Sequence, residues 1–179
     1  MKSIVVVSSL TGNTLKVARA VAYGLDDNLE AVKVEENPDV SDYDLVVIGT
    51  WIDRGTADAK AQEFIKTIKN KKVAVFATLG AYPDSDHAKK CLDNISKLFD
   101  SSNEVVGQFI CQGAVSYKMI ERMKTMFPEG HPHAMNEDRR KRLEEAKKHP
   151  DEADLAAARQ YFAELKAKLE TSYEKSSLA

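Results

Sequence analysis

IVVVSSLTGNT, residues 4–14, joins a run of β-branched apolar residues to a loop that carries four hydroxyl groups and no charge. The run IVVV at 4–7 is typical of a strand buried on both faces, as central strands are in a parallel sheet covered by helices. Beyond the loop, apolar residues recur at the spacing of a helix, at Leu15, Ala18, Val21 and Leu25. The stretch therefore predicts a strand, a short loop and a helix, the first unit of an α/β fold.

Four further segments predict strands. LVVIG at 45–49 and VAVFA at 73–77 are apolar on both faces and predict central strands. EAVKVE at 30–35 alternates between apolar and polar residues and predicts an edge strand. EVVGQFIC at 104–111 predicts the last strand, with Gly107 at a bulge or a close approach.

Helical spacing recurs between and after these strands, at 61–68, 88–98 and 155–169. Right-handed crossovers between parallel strands then predict an α/β fold, a three-layer α/β/α sandwich with a five-stranded parallel sheet in the order 2-1-3-4-5. In such sheets ligands bind beyond the carboxyl ends of the strands. The loops that follow the strands are therefore the candidate functional site.

The composition is that of an ordinary globular chain. The 179 residues include 43% hydrophobic and 30% charged side chains, with a net charge of −2. No apolar run approaches the roughly 18 residues of a membrane span, and we expect neither a signal peptide nor integral membrane contact. Cys91 and Cys111 form no CxxC motif, which favours a reduced, cytoplasmic protein. The charge balance argues against a nucleic-acid binder.

The hydroxyl-rich loop, SSLTGNT at 8–14, predicts a phosphate site because it stands before a helix N-terminus, where free N–H groups favour an anion. The loop has no lysine and a single glycine, which excludes a Walker loop and a dinucleotide fingerprint. Neutral donors suit a terminal monophosphate. An ordinary turn that caps the helix is the alternative.

Two later loops each carry one aromatic residue. Trp51, the only tryptophan, lies in GTWIDRG at 49–55, and Tyr82 lies in TLGAYPDSD at 78–86. Both loops follow central strands, so the pair predicts a clamp for a flat ring beside the phosphate. Taken singly, the tryptophan is more typical of a core and the tyrosine of a loop tip.

These motifs resemble the flavodoxin-like family. Its phosphate loop pattern, [ST]-x-T-G-x-T, is matched by residues 9–14, and its second loop is similar to residues 49–55. Its third loop, which bears a glycine and a tyrosine, is matched more loosely by residues 78–82. The resemblance extends over residues 1–112 and includes the last helix.

The resemblance implies FMN, bound non-covalently, with the hydroxyl-rich loop on the phosphate and the two aromatic loops on either side of the isoalloxazine. It implies no catalytic residue, because the flavin carries the chemistry, and no metal. The residues expected to contact the cofactor are Ser8, Ser9, Leu10, Thr11, Gly12, Asn13, Thr14, Thr50, Trp51, Ile52, Arg54, Gly55, Thr78, Leu79, Gly80 and Tyr82.

The chain also carries a segment, residues 113–150, between the last strand and the last helix. It contains nine basic and six acidic side chains and predicts two short helices, about 115–126 and 136–148. We interpret the chain, 1–179, as a single flavodoxin-like domain with this segment inserted. The segment has three interpretations: a cover on the sheet edge, a lid over the flavin, or an amphipathic helix that makes weak peripheral contact with a membrane.

The function implied by the resemblance is electron transport by a flavoprotein that passes electrons to a partner reductase. The stretch HPDEADL at 149–155 also resembles flavodoxin-like proteins associated with bilirubin reduction. The alternative is an FMN-dependent oxidoreductase, similar to protoporphyrinogen oxidases or quinone reductases of the same fold, acting directly on a small molecule. The sequence leaves the oligomeric state open.

Overall fold

The computed structural model describes residues 1–177, with side chains to residue 175, so the last two residues of the predicted domain lie outside the described range. Its central sheet has five parallel strands: β1 (Ser3–Val7), β2 (Ala31–Lys33), β3 (Leu45–Asp53), β5 (Lys72–Leu79) and β6 (Glu104–Gln112). A two-residue strand, β4 (Thr56–Ala57), pairs antiparallel with the end of β3. The order along the sheet is β2-β1-β3-β5-β6. Once β4 is set aside, this is the predicted order 2-1-3-4-5, which is confirmed.

Helices cover both faces of the sheet. They are α1 (Asn13–Leu25), α2 (Ala59–Ile65), α3 (Asp86–Ser96), α4 (Tyr117–Met126), α5 (Glu137–Ala146) and α6 (Glu152–Ser177). Alternate side chains of each strand enter opposite cores, since successive residues point to opposite faces. Val5 and Val7 pack with Phe162 of α6, whereas Ile4 and Val6 pack with Ile65 of α2. The three-layer α/β/α architecture is therefore confirmed.

Strand lengths differ from the sequence prediction. β3 continues four residues beyond the predicted 45–49, because Thr50 and Trp51 pair in register with Ala77 and Thr78 of β5. These backbone pairs extend both strands past the point where the apolar pattern ends. β2 is shorter than predicted, since a single turn of 3-10 helix begins at Val34.

Gly107 allows two features of β6 at once. The register between β5 and β6 shifts by one residue just before it, which is a β-bulge. A Cβ atom at Gly107 would also lie 2.7 Å from Leu165 Cδ2 of α6. The predicted bulge or close approach is therefore observed, and it lets α6 pack closely against the sheet.

Helices α4 and α5 both belong to the 113–150 segment, near the positions that the sequence predicts. Leu143 and Ala146 anchor α5 by burial, whereas α4 has no buried residue among its ten. A hydrogen bond links the hydroxyl-rich loop to the segment: the side-chain amide of Asn13 donates to the Ala114 carbonyl at 3.2 Å. The segment thus starts beside the hydroxyl-rich loop. Among residues 1–177, none of the helices combines the length and apolar character that a membrane crossing requires.

Candidate functional site

A cavity of about 830 Å³ lies at the carboxyl edge of the sheet. The loops that follow β1, β3, β5 and β6 all line it, together with residues of α3, α4 and α5. This is the edge at which parallel sheets of this order bind ligands. The volume lies within the range of organic ligand sites, about 300–1,000 Å³.

The hydroxyl-rich loop presents free backbone donors to the cavity. Gly12, with φ 93°, caps α1, and the Ser9 hydroxyl accepts hydrogen bonds from the N–H groups of Gly12 at 3.1 Å and Leu15 at 3.3 Å. Four other N–H groups have no acceptor within residues 1–177, and each belongs to a residue that lines the cavity: Leu10, Thr11, Asn13 and Thr14. The helix dipole places partial positive charge at the same point. The loop therefore has the donor set of an anion site.

The side chains of Asn13 and Thr14 hold this loop in place. Asn13 is bonded to the Ala114 carbonyl, and the buried Thr14 hydroxyl lies 2.8 Å from the Thr78 hydroxyl of β5. Thr11 is exposed at the cavity, and its hydroxyl has no partner among the described side chains. Thr11 is thus the side-chain donor that remains available to a ligand.

Two residues that we expected at the cofactor have side chains that bond to a buried carboxylate. The hydroxyls of Ser8 and Thr50 donate to the carboxylate of Asp58, at 2.7 Å and 2.8 Å, and all three side chains are buried. Neither Ser8 nor Thr50 lines the cavity. The sequence did not identify this buried acceptor behind the loops, and contact of Ser8 and Thr50 with the cofactor stays a prediction.

Asp58 joins the first two loops of the site. Its carboxylate also caps α2 by accepting hydrogen bonds from the N–H groups of Lys60 and Ala61. Sequence reasoning missed it, although an aspartate directly before a helix is a familiar N-cap signal. One buried carboxylate therefore links the first residue of the hydroxyl-rich loop to the strand that bears Trp51.

Trp51 and Tyr82 both line the cavity, as the sequence predicts for a ring clamp. Trp51 is half-buried at the end of β3, and Tyr82 is 45% exposed, so its ring retains surface that a ligand can cover. The loop of Tyr82 is held close to the 113–150 segment, since a Cβ atom at Gly80 would lie 2.3 Å from Val115 Cγ2. Planar ligands stack well between aromatic side chains.

The turn after Trp51 is tight and held by α3. Arg54 and Gly55 both have positive φ, at 49° and 80°, where the chain reverses into β4. The Asn94 amide donates to the Gly55 carbonyl at 2.9 Å and lines the cavity as well. No sequence signal marked Asn94, because its role depends on a contact between distant elements.

Twelve of the sixteen expected residues line the cavity: Leu10, Thr11, Asn13, Thr14, Trp51, Ile52, Arg54, Gly55, Thr78, Leu79, Gly80 and Tyr82. The other four do not line it: Ser8, Ser9, Gly12 and Thr50. Of these, Ser9 and Gly12 shape the loop through their mutual hydrogen bond.

The 113–150 segment supplies a further part of the wall, in addition to residues of α3. Its apolar contributors are Val115, Met119, Met123, Met126, Phe127 and Leu143. Its basic contributors are Arg122, His133, Arg139 and Arg142. The methionines were visible in the sequence as an apolar face of α4, but the approach of α5 to the cavity was not.

The two cysteines do not supply a reactive thiolate. Burial raises the pKa of the Cys111 thiol to about 12. Cys91 lines the cavity with its sulfur 3.6 Å from the Nε2 atom of His87, and burial raises the pKa of that thiol as well. Both are therefore protonated near neutral pH, which argues against nucleophilic chemistry by either.

Comparison with known proteins places this geometry in context. The family model described as Flavodoxin domain matches residues 4–163. A flavodoxin-like domain-containing protein, BilS, from Clostridioides difficile (strain CD3) is 33% identical over 165 residues, which cover 88% of this chain and 92% of that protein.

Solved structures agree on the fold. Oxidised flavodoxin 2 from Bacillus cereus superposes with a TM-score of 0.58 at 17% identity, covering 94% of this chain and 99% of that one. A flavoprotein from Lactobacillus acidophilus NCFM, solved in complex with FMN, superposes with a TM-score of 0.50 at 18% identity and covers 61% of this chain and 92% of that one.

Proposed function

This chain belongs to the flavodoxin domain family, and from that premise we propose that it binds FMN in the cavity at the carboxyl edge of the sheet and passes electrons to a partner protein. Bound FMN supplies the redox chemistry; the chain supplies binding, orientation and shielding. One observation carries the proposal: four residues with unpaired N–H groups, in the hydroxyl-rich loop and the first turn of α1, line the same cavity as Trp51 and Tyr82.

The residues present fit each part of the cofactor. The neutral donors of the hydroxyl-rich loop suit the phosphate, and the exposed Thr11 hydroxyl adds a side-chain donor. Trp51 and Tyr82 suit the two faces of the isoalloxazine. The N–H groups of Gly80 and Ala81 have no acceptor among the described residues and suit the polar edge of the ring. Stacking against aromatic side chains excludes water from the ring.

The partner in this proposal is a reductase. A relative 33% identical over most of both chains is named BilS and described as flavodoxin-like, which supports a role of the same kind here. We propose a cytoplasmic electron carrier that serves a reductase of the type associated with bilirubin reduction. In such a pair the second protein holds the organic substrate, and this chain delivers electrons to it.

A second candidate is an FMN-dependent oxidoreductase that acts on a small molecule by itself. The observation that favours it is the wall formed by α4 and α5, which adds Met119, Met123 and Arg142 to the cavity beyond the loops that hold FMN. The two candidates differ in where the electrons go. Aerobic and anaerobic assays of NAD(P)H oxidation separate them: a carrier needs a second protein for turnover, whereas an oxidoreductase turns over with the purified chain alone.

FMN binding is tested by titrating the apoprotein with FMN and with riboflavin, which lacks the phosphate, and following flavin fluorescence. Thr11→Ala is expected to weaken FMN binding about tenfold, since a hydrogen bond to a charged group is removed. Riboflavin binding is expected to stay unchanged. Thr171→Ala, an exposed threonine on α6, is the control. A chain that binds neither flavin would refute the proposal, and equal losses for both flavins would refute the phosphate assignment.

A further inference from the structure

Positive charge is in excess in the lining of the cavity. Its basic lining residues, apart from histidines, are Arg54, Lys90, Arg122, Arg139 and Arg142. Asp53 is the sole acidic residue of that lining within the described chain. Three of the five basic residues, Arg122, Arg139 and Arg142, belong to the 113–150 segment. The excess charge is therefore a property of the segment and not of the hydroxyl-rich loop.

Most of these cations have no carboxylate partner. Across the described residues, the lysines that form ion pairs lie elsewhere: Lys60, Lys66, Lys69, Lys72, Lys89, Lys124, Lys141, Lys147 and Lys148. Arg139 is used structurally, since its guanidinium donates to the carbonyls of Ala134 and Pro132. Arg54, Lys90, Arg122 and Arg142 are left without an ion pair or side-chain hydrogen bond within residues 1–175.

Arg142 is the most informative of the four. Its Nε atom is buried and has no hydrogen-bond partner among the described atoms. A buried donor without an acceptor is costly, and a charged one more so. The side-chain amide of Gln112 donates to the Arg142 carbonyl at 3.5 Å and to the Gly80 carbonyl at 3.3 Å. Gln112 therefore holds the backbone of Arg142 near the loop of Gly80. The guanidinium thus lies at the cavity wall with one N–H donor that has no acceptor.

Apolar side chains surround these cations. Met119, Met123 and Phe127 line the cavity from α4 and the residue that follows it, and Leu143 lines it from α5. Methionine side chains adapt to flat apolar bodies and contact aromatic rings favourably. The wall therefore combines a soft apolar surface with unpaired guanidinium groups.

We propose that this wall binds a second ligand beside the flavin: an organic anion with a flat apolar body, whose acidic group is held by Arg122 and Arg142. The inference rests on the proposed FMN site. The phosphate of FMN does not account for these arginines, because the hydroxyl-rich loop already offers that phosphate neutral donors at the start of α1. An acidic segment of a partner protein is the less favoured occupant, because the Arg142 Nε atom is buried at the cavity wall, although Arg122 is exposed.

The experiment uses the FMN-loaded protein and two matched probes. Anilinonaphthalene sulfonate is an apolar organic anion, and N-phenylnaphthylamine is the same aromatic body without the acidic group. Affinities are measured by calorimetry, and visible difference spectra of the flavin report whether a probe lies beside it. The variants are Arg122→Gln and Arg142→Gln, with Arg140→Gln as the control, because Arg140 is exposed on α5 and does not line the cavity.

We expect the sulfonate to bind at least tenfold more tightly than the uncharged probe and to perturb the flavin spectrum. Each cavity arginine variant should weaken sulfonate binding about tenfold and leave the uncharged probe within about twofold. Arg140→Gln should change neither affinity. FMN and riboflavin should bind all variants as they bind the parent chain, which shows that the FMN site is intact.

Four results would overturn the proposal. The first is equal affinity of the two probes. The second is an equal effect of Arg140→Gln, which would indicate surface charge only. The third is a loss of FMN but not riboflavin affinity in the cavity variants, which would assign the arginines to the phosphate. The fourth is displacement of the sulfonate by a polyglutamate peptide at lower concentration than by the uncharged probe, which would indicate a partner segment. A chain that binds no flavin would instead refute the function on which the proposal rests.

Discussion

Removal of the Asp58 carboxylate is the most direct test of how the site is held together. Asp58 accepts hydrogen bonds from the Ser8 and Thr50 hydroxyls at 2.7 Å and 2.8 Å, and from the N–H group of Lys60 at 3.1 Å. In Asp58→Ala all of these are lost at once. We expect a large loss of stability and a looser hydroxyl-rich loop, because the side chains of Ser8 and Thr50 are no longer held by a common acceptor.

The magnitude follows from the three interactions. Loss of the N-cap of α2 costs about 1 kcal/mol. The Ser8 hydroxyl is left buried without an acceptor, which costs about 1–3 kcal/mol. The Thr50 hydroxyl keeps an acceptor in the Trp51 carbonyl, 3.0 Å away. Loss of its hydrogen bond to Asp58 therefore adds only about 1 kcal/mol. The total of about 3–5 kcal/mol is a large share of the roughly 5–15 kcal/mol that stabilise a domain.

The assay is urea unfolding of the apoprotein, with Asp93→Ala on the exposed side of α3 as the control. The double variant Asp58→Ala with Ser8→Ala should be more stable than the sum of the single effects predicts, by about 1–2 kcal/mol, because the orphaned hydroxyl is gone. The reasoning would be refuted if the free energy of unfolding of Asp58→Ala lay within about 1 kcal/mol of that of the parent chain. It would also be refuted if the effects of the two substitutions were strictly additive in the double variant.

Two further predictions concern packing and pH. Gly24→Ala should lower the free energy of unfolding by about 1–3 kcal/mol, because the new Cβ would lie 2.3 Å from the Arg159 carbonyl oxygen. This cost exceeds the gain from the higher helix propensity of alanine. A higher free energy of unfolding in urea would contradict the prediction. The hydrogen bond between His149 Nδ1 and Asp154, at 2.5 Å, raises the pKa of His149. Its contribution to stability is therefore complete below about pH 6.5 and is lost as pH rises through the folded-state pKa. Unfolding curves across this pH range should show that slope, His149→Gln should abolish it, and His131→Gln is the control.

Much of the fold was accessible from the sequence because its signals are local. Apolar runs mark the buried strands, and their order along the chain limits a parallel sheet to few topologies. Trp51 lies near the end of one central strand and Tyr82 follows its neighbour, so their placement at one edge of the sheet could be inferred from the strand order alone. The bulge at Gly107 is a local signal of the same kind.

Other features could not be predicted because they depend on contacts between distant residues. The end of β3 reads as a loop, yet pairing with β5 keeps its backbone extended through Asp53. The partner of Ser8 and Thr50 is Asp58, which lies 50 residues from one and 8 from the other. A hydroxyl side chain alone does not tell whether it faces a ligand or a buried acceptor.

By itself, then, the sequence determined the sheet order and placed the hydroxyl-rich loop and the two aromatic residues at one edge of the sheet, because strand periodicity and loop motifs are short-range properties. Only the tertiary structure decided which side chains line the cavity and which support it from behind. It also decided that α4 and α5 close one wall with methionines and unpaired arginines. The physical reason is that the approach of a helix to a distant loop is set by packing of the whole chain, through contacts such as those of Leu143 and Gln112, and no local pattern records it.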